Sequence, residues 1–526
     1  MASNASPTRA GNPAPKTAET FDQAYAWRIM AILSVLVVIV MYIEGMLTPS
    51  LPAIASDFGV GVSQVSLVLS VYLVTGVALS PIAGKLGDVF GKKRIMIIVL
   101  GIYAVAVSVT GFSPSFEFMV GSRAVQGVGL TIFPLAMSLV REEFPKEMIP
   151  RAMGVLSGLF GAGFAISLPL GSFISNAYGW RFTYHTAIPF VVGATIGCLL
   201  FLKESPYRRP NAYIDYAGAG LLAAALALVV LGLSQGPVWG WTSVAVLGVL
   251  SAGGGLMVPV VLLELRTHRQ GKDVILDPGL LRKRNVLVTN VVLTIAGFGM
   301  FLAFQALTFR LEYVGPVGLG LSIFQTGLSF VAFAAPMIVL APIGGALVPR
   351  LGTKPLTILG SSIGAVGFFL ATRATSLDQT LAVMVVIGAG LAVMNSAVIN
   401  LLVLTVEPRD MGLATSMNAV FRNVGSSLGA PLAGSLLTTF TVEVYGHTFP
   451  SPTAFHDAYL LAAAAFVAAA VATLFAREVL GRHAHHEVLA RDERDAVRDE
   501  APGAATAGGT GLPSQRPVAG PADRGA

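Results

Sequence analysis

About fourteen stretches of this chain run for twenty or so residues almost without charge, and this pattern decides what the chain can fold into. A helix needs about 20 apolar residues to cross the hydrocarbon of a bilayer. Runs of that kind lie near 29–50, 64–84, 95–113, 117–140, 151–175, 184–202, 216–235 and 242–263. Six more follow near 286–309, 323–348, 355–374, 380–405, 412–440 and 457–476. The expected fold class is therefore all-α and integral to a membrane. Charged residues, at 12%, are half as frequent as the roughly 25% of a soluble domain, and mean hydropathy is +0.74.

The rest of the composition fits that environment. The 58 glycines and 30 prolines suit closely packed membrane helices. The lone cysteine, Cys198, lies in an apolar run, which leaves no disulfide framework or thiolate metal site. No nucleotide-binding motif, metal cluster or nucleophilic constellation stands out, so neither an enzyme nor a cofactor is expected. The net charge of +6 needs no nucleic-acid partner, because basic loops at a membrane face account for it. Residues 1–27 and 477–526 are polar or Gly/Pro/Ala-rich and read as disordered tails.

An even number of spans puts both termini on one side, and the loops then sort cleanly. One set holds nineteen basic residues, among them Lys85, Lys92, Lys93, Arg94, Lys203 and Arg284. The opposite set holds three: Arg181, Arg310 and Arg373. Basic loops stay in the cytoplasm, so both tails are expected there, with the chain in the plasma membrane.

The chain also repeats itself. Pro81-Ile-Ala-Gly-Lys-Leu-Gly-Asp-Val-Phe-Gly-Lys-Lys93 returns 261 residues later as Pro342-Ile-Gly-Gly-Ala-Leu-Val-Pro-Arg-Leu-Gly-Thr-Lys354, with six of 13 positions identical. The same offset carries Gly127 and Gly129 onto Gly388 and Gly390. This implies two pseudo-symmetric six-helix halves, residues 28–203 and 285–476, with a linker and inserted two-helix hairpin at 204–284. Two similar halves with a site between them are a common plan for transporters. The halves differ in charge: offset by 261, Glu44 becomes Gln305, Asp88 becomes Pro349 and Arg123 becomes Met384.

Glu44 stands inside the first apolar run, where an acid costs roughly 2.5–3.5 kcal/mol. A carboxylate there reads as a proton or ion carrier facing a cavity. Arg123, inside the fourth span, reads either as its electrostatic partner or as a structural or snorkelling cation. The loop after span two, Gly84-Lys-Leu-Gly-Asp88-Val-Phe-Gly91-Lys92-Lys93-Arg94, combines glycines for close approach with an acid able to cap a helix start and attract a cation. It lacks the spacing of a phosphate-binding loop.

That loop resembles the G-x-L-a-D-r-x-G-r-k signature of the major facilitator superfamily. Arg123-Ala-Val-Gln126-Gly127-Val-Gly129 resembles the family's R-x-x-Q-G-x-G motif, and Gly179-Trp180-Arg181-Phe182 through Pro189 resembles its segment entering span six. The resemblance covers roughly residues 28–477. With fourteen spans and the Ile214-Asp215-Tyr-Ala-Gly218 opening of the hairpin, it points to the drug:proton antiporter branch. Two departures stand out. The antiporter motif of span five appears as Gly161-Ala-Gly163-Phe-Ala-Ile-Ser-Leu168-Pro169-Leu-Gly171-Ser172, with Leu168 in place of a glycine. The branch's span-one acid falls one position later than usual, at Glu44.

The resemblance implies cavity-lining roles for spans one, four, nine and twelve. The candidate cargo contacts are accordingly Gln126, Asn290, Gln305, Asn395 and Asn400, against the alternative that these amides only join helices. Phe298, Phe301, Phe304 and Phe309 read as packing or lipid-facing, and Arg422 as structural. Two functions compete. The first is a proton-driven antiporter exporting drugs or other small apolar or cationic compounds, antibiotics among them. The alternative is a proton-coupled transporter of one polar metabolite or chelate, possibly an importer. The expected partners are cargo, protons and lipid, and the expected state is a monomer.

Overall fold

The computed structural model describes residues 23–144, 149–204, 213–272, 274–315, 317–407, 411–444 and 447–479. Most of the two expected tails lies outside these residues.

The described chain is almost wholly helical. It begins with α1 (Gln23–Gly45), α2 (Leu51–Phe58), α3 (Val62–Val65), α4 (Leu67–Phe90), α5 (Lys92–Thr110), α6 (Phe116–Gln126) and α7 (Ile132–Glu143). The first bundle closes with α8 (Ile149–Tyr178) and α9 (Trp180–Phe201). Next come α10 (Tyr216–Trp239), α11 (Val244–Arg269) and the short α12 (Pro278–Arg282). The second bundle holds α13 (Arg284–Glu312), α14 (Ile323–Leu351), α15 (Thr353–Ala371), α16 (Leu377–Val403), α17 (Met411–Thr439) and α18 (Pro452–Leu474). One element departs from the all-α expectation: β1 (Thr441–Val444) pairs antiparallel with β2 (His447–Pro450), Thr441 opposite Pro450. Its Thr441, Val442, Val444, Thr448 and Phe449 are β-branched or aromatic residues that suit a pleated ribbon better than a helix.

Twelve of the described segments are long and apolar enough to cross a membrane, some built from two short helices, such as Tyr25–Phe58. The helices α8 and α17, at 30 and 29 residues, are just as long but stand outside those twelve. In α17 this follows from composition, since Asn418, Arg422 and Asn423 lie along it.

Within each bundle, corresponding helices pack alike: α1 on α8 and α5 on α9 in the first, α13 on α17 and α15 on α18 in the second. The basic ends repeat the same device. Gly91 and Gly352 take φ of +106° and +86°, a region open to glycine, and each turns the chain sharply into the next helix. The Glu204 carboxylate then accepts from the backbone N–H of Lys93 and of Arg94, both at 3.2 Å. Glu478 accepts from Thr353 at 2.8 Å and Lys354 at 3.2 Å. The ammonium of Lys93 donates to Leu199 O, and that of Lys354 to Leu474 O. A carboxylate on the free N–H groups of a helix start satisfies orphan donors and favours the positive end of the helix dipole. The sequence reading gave a capping role to Asp88. Instead Asp88 lies in the last turn of α4, 3.4 Å from Lys92, and Glu204 meets the start of α5.

The bundles meet along two seams, α4 on α17 and α8 on α14. The helix α10 lies over the first seam, where Leu222, Leu226 and Val230 pack with Val74, Val77 and Val420. Ser234 Oγ donates to Ser63 O at 2.8 Å, and Trp241 Nε1 to Thr439 Oγ1 at 3.3 Å.

Candidate functional site

Helix α1 ends at Gly45 and the chain turns through Thr48–Ser50 before α2, which leaves Glu44 on the last helical turn. Its side chain borders a cavity shared with Thr48, Leu69, Tyr72, Leu73, Arg123, Phe164, Phe301 and Phe304. The open space is about 10 Å³, close to the least that holds one water. The first bundle supplies seven of these nine residues, and α13 supplies Phe301 and Phe304. At this level the bundles are shut on each other.

Helix α8 comes close to α1 because its glycines allow it. A methyl at Gly171 would lie 2.7 Å from the backbone of Met46. A methyl at Gly163 would lie 2.9 Å from Met41 Cβ. Gly163 and Gly171 thus lie on the packing face between α8 and α1, and neither they nor Pro169, which lies inside α8, line the cavity. The acid stays close to Arg123, which the fold holds in place. Arg123 is wholly buried, with Nε donating to Val68 O at 3.0 Å and Nη1 to Gln126 Oε1 at 2.9 Å. Its guanidinium stands 4.6 Å from the Tyr72 ring centre. Gln126 in turn donates to Ala106 O at 3.3 Å and to Thr110 Oγ1. Arg422 of α17 is the other cation whose field reaches Glu44. Three buried atoms of cavity-lining residues meet no hydrogen-bond partner among the described residues: Glu44 Oε2, Arg123 Nη2 and the Tyr72 hydroxyl.

The structure thus brings Glu44 and Arg123 to one cavity and leaves the five expected cargo contacts off its wall. Gln126 is turned to α5 and holds Arg123 in place. Asn290 Oδ1 accepts from Asn418 Nδ2 at 3.1 Å, joining α13 to α17. Asn400 donates to Ser396 O in its own helix, and Asn395 is half-buried on that helix. Gln305 is fully buried, and neither amide atom meets a partner among the described residues. The loop residues Gly84, Asp88, Gly91, Lys92 and Arg94 sit together at the basic end, away from this cavity.

The sequence reading also missed the aromatic wall. Phe301 and Phe304 line the cavity, and Phe164 of α8 stacks on Phe304 of α13, centroids 6.2 Å apart and planes within 14°. Phe330 and Phe333 of α14 stand edge-on to Phe304 at 5.3 and 4.7 Å. Helix α13 is apolar nearly all round, so periodicity could not show which phenylalanines turn inward.

Two related helical bundles around a shut, acid-bearing cavity define a polytopic membrane protein. The chain belongs to the Major Facilitator Superfamily, whose sequence profile matches residues 33–218 and 287–508. The relatives below are named as transporters or export proteins, and this chain is a multi-pass membrane protein of that family. It is 26% identical to the multidrug transporter protein MdtP of Bacillus subtilis over 74% of this chain and 71% of that protein. It is likewise 26% identical to the tetracenomycin C resistance and export protein of Streptomyces glaucescens, over 75% and 72%. An uncharacterized MFS-type transporter of Mycobacterium tuberculosis is 29% identical over 78% of this chain, which spans only 59% of that protein's length. The crystal structure of the human organic anion transporter MFSD10 shares the fold, with a TM-score of 0.55, 16% identity and coverage of 85% and 99%.

Proposed function

We propose that this chain is a proton-coupled antiporter that exports small, largely apolar compounds, with Glu44 as the proton carrier. The observation that carries this reading is the placement of one buried carboxylate in a cavity that shuts between the halves. Water hydrates an ionised carboxylate while the site is open, and closure removes that water. Protonation is the least costly way for such a group to give up its charge. Cargo that needs the ionised oxygen then competes with the proton, and competition at one group is antiport. Arg123 and Arg422 provide the field that holds the ionised form when cargo is present.

The halves 28–203 and 285–476 would rock about the cavity, with α8 and α17 completing fourteen spans and 204–284 forming the inserted hairpin. The nineteen-to-three partition of basic residues supports cytoplasmic termini in the plasma membrane. Export is supported by the names of two relatives, one a multidrug transporter and one an export protein.

The test is Glu44→Gln in proteoliposomes. The variant should fold and bind neutral cargo, yet show no cargo movement in response to an imposed pH gradient. Gradient-driven accumulation by the variant would remove Glu44 from the mechanism. The second reading, a polar or anionic metabolite moving together with the proton, is favoured by the two guanidinium groups acting on one acid. It requires proton uptake rather than release when cargo binds.

A further inference from the structure

We infer that the cargo of this site is a neutral, flat aromatic compound bearing one hydroxyl donor and one carbonyl acceptor, held by Glu44 and Arg123 between the rings of Phe164 and Phe304. The assignment rests on the transporter reading above and narrows it.

The cavity wall leaves three hydrogen-bonding groups open: a donor on Arg123, an acceptor on Glu44, and the Tyr72 phenol, which can serve as either. Arg123 spends Nε on Val68 O and Nη1 on Gln126, and its buried Nη2 meets no acceptor among the described residues. Glu44 Oε2 is equally buried and meets no donor. A buried polar atom without a partner costs about 1–3 kcal/mol in general, so a ligand that supplies both partners gains twice. It must offer an acceptor to the guanidinium and a donor to the carboxylate. A single water filling the small space of the empty site can do the same, and cargo would take its place.

Charge sets the second requirement. The groups that act electrostatically on Glu44 are Arg422 of α17, Arg123 of α6, and the phenols of Tyr72 of α4 and Tyr103 of α5. Two fixed cations and one acid make the site positive by one with Glu44 ionised, and by two with it protonated. A cationic compound is repelled in both states. An anion would take the guanidinium from Glu44 and favour the protonated acid, which is co-transport. A neutral hydroxyl compound donates best to the ionised oxygen, since charge-assisted bonds are about twice as strong as neutral ones. A cation also prefers the ionised acid but meets net repulsion in both states, so the neutral hydroxyl compound is the class that both binds well and competes with the proton.

Shape comes from the aromatic residues. Phe164 and Phe304 belong to opposite halves and present near-parallel faces, with Tyr72 and Phe301 completing the wall. Flat rings stack on such faces at little conformational cost, and parting of the halves opens the slot between them.

The test uses the full chain in nanodiscs and four probes: 6-hydroxy-2-acetylnaphthalene, 2-acetylnaphthalene, 2-naphthol and tetraphenylphosphonium. The hydroxy-ketone should bind about tenfold more tightly than either single-function naphthalene, the factor one buried charge-assisted hydrogen bond supplies. Its affinity should fall as pH is lowered from neutral to mildly acidic, and Glu44→Gln should abolish that dependence. Phe304→Leu should weaken all three naphthalenes and leave their pH dependence in place. A ranking that follows lipophilicity alone, or tightest binding of tetraphenylphosphonium, overturns the assignment. If a pH gradient drives tetraphenylphosphonium across proteoliposomes and not the hydroxy-ketone, the antiporter reading stands and this cargo class falls. If the gradient drives no probe, both fall together.

Discussion

Replacing Glu204 by glutamine isolates the device that closes the basic end of the first half. The carboxylate takes the N–H of Lys93 on one oxygen and that of Arg94 on the other, both at 3.2 Å. Glutamine keeps one acceptor oxygen, turns the other into a donor facing an N–H group, and removes the negative charge from the helix start. A hydrogen bond to a charged group contributes about 1.5–3 kcal/mol and a neutral one about 0.5–1.5, while charge near a helix terminus adds about 0.3–1. The site is only partly buried, so the lower ends apply and local stability should fall by about 1–2 kcal/mol. That is a factor of about 5–30 in the opening equilibrium. Hydrogen exchange by mass spectrometry on nanodisc-embedded protein reads it directly. Peptides covering the start of α5 should exchange faster by that factor, and those covering the start of α15 should not change. Glu478→Gln should give the mirror result. Equal exchange in both loops, or none in either, would refute two separate carboxylate clasps.

Gly425→Ala would drive a methyl into Thr294 O at the α13–α17 crossing, where backbone cannot yield as a flexible side chain can. The melting temperature should drop by the equivalent of about 1–3 kcal/mol, while Gly101→Ala, with open space around it, should match the parent. Asp88→Asn should slow gradient-driven turnover and leave the melting temperature nearly unchanged, because its half-exposed pair with Lys92 contributes only about 0.2–1 kcal/mol. Unaltered turnover would remove Asp88 from gating. Reporter domains fused after Lys203 and after Arg284 should both read cytoplasmic, and an external reading at either would remove the fourteen-span topology.

Much of this architecture is legible in the sequence. The apolar runs locate the long helices, and the 261-residue offset matches Gly91 to Gly352, two turns with the same backbone. A buried acid at Glu44 could be read from its surroundings alone. The clasps escaped that reading because they keep a different register: Glu204 and Glu478 stand 274 residues apart, owing to unequal helix and loop lengths after the turns. Their trace is nonetheless present as Phe201-Leu-Lys-Glu204 and Phe475-Ala-Arg-Glu478, just after the last apolar run of each half. The amides misled for a plainer reason. Asn290 Oδ1 and the Gln126 amide bond to neighbouring helices, and sequence position does not show toward which neighbour a helix turns a polar residue. Arg422 lay in plain view as an intramembrane cation, but its glycine neighbours suggested close packing and concealed its reach to Glu44.

The placement of α10 leaves the molecule with unequal flanks. The α4–α17 seam carries a third helix fastened to the chain on both sides, through Ser63 and Thr439. The α8–α14 seam carries no such cover among the described residues. If the halves part as proposed, the covered flank would act as the spine of a book and the bare flank as its fore-edge. A solute already dissolved in lipid therefore meets a continuous wall on one side of the protein and an opening joint on the other. On the proposed mechanism, the surrounding bilayer, and not only the aqueous space at either end, would be a compartment from which cargo is drawn.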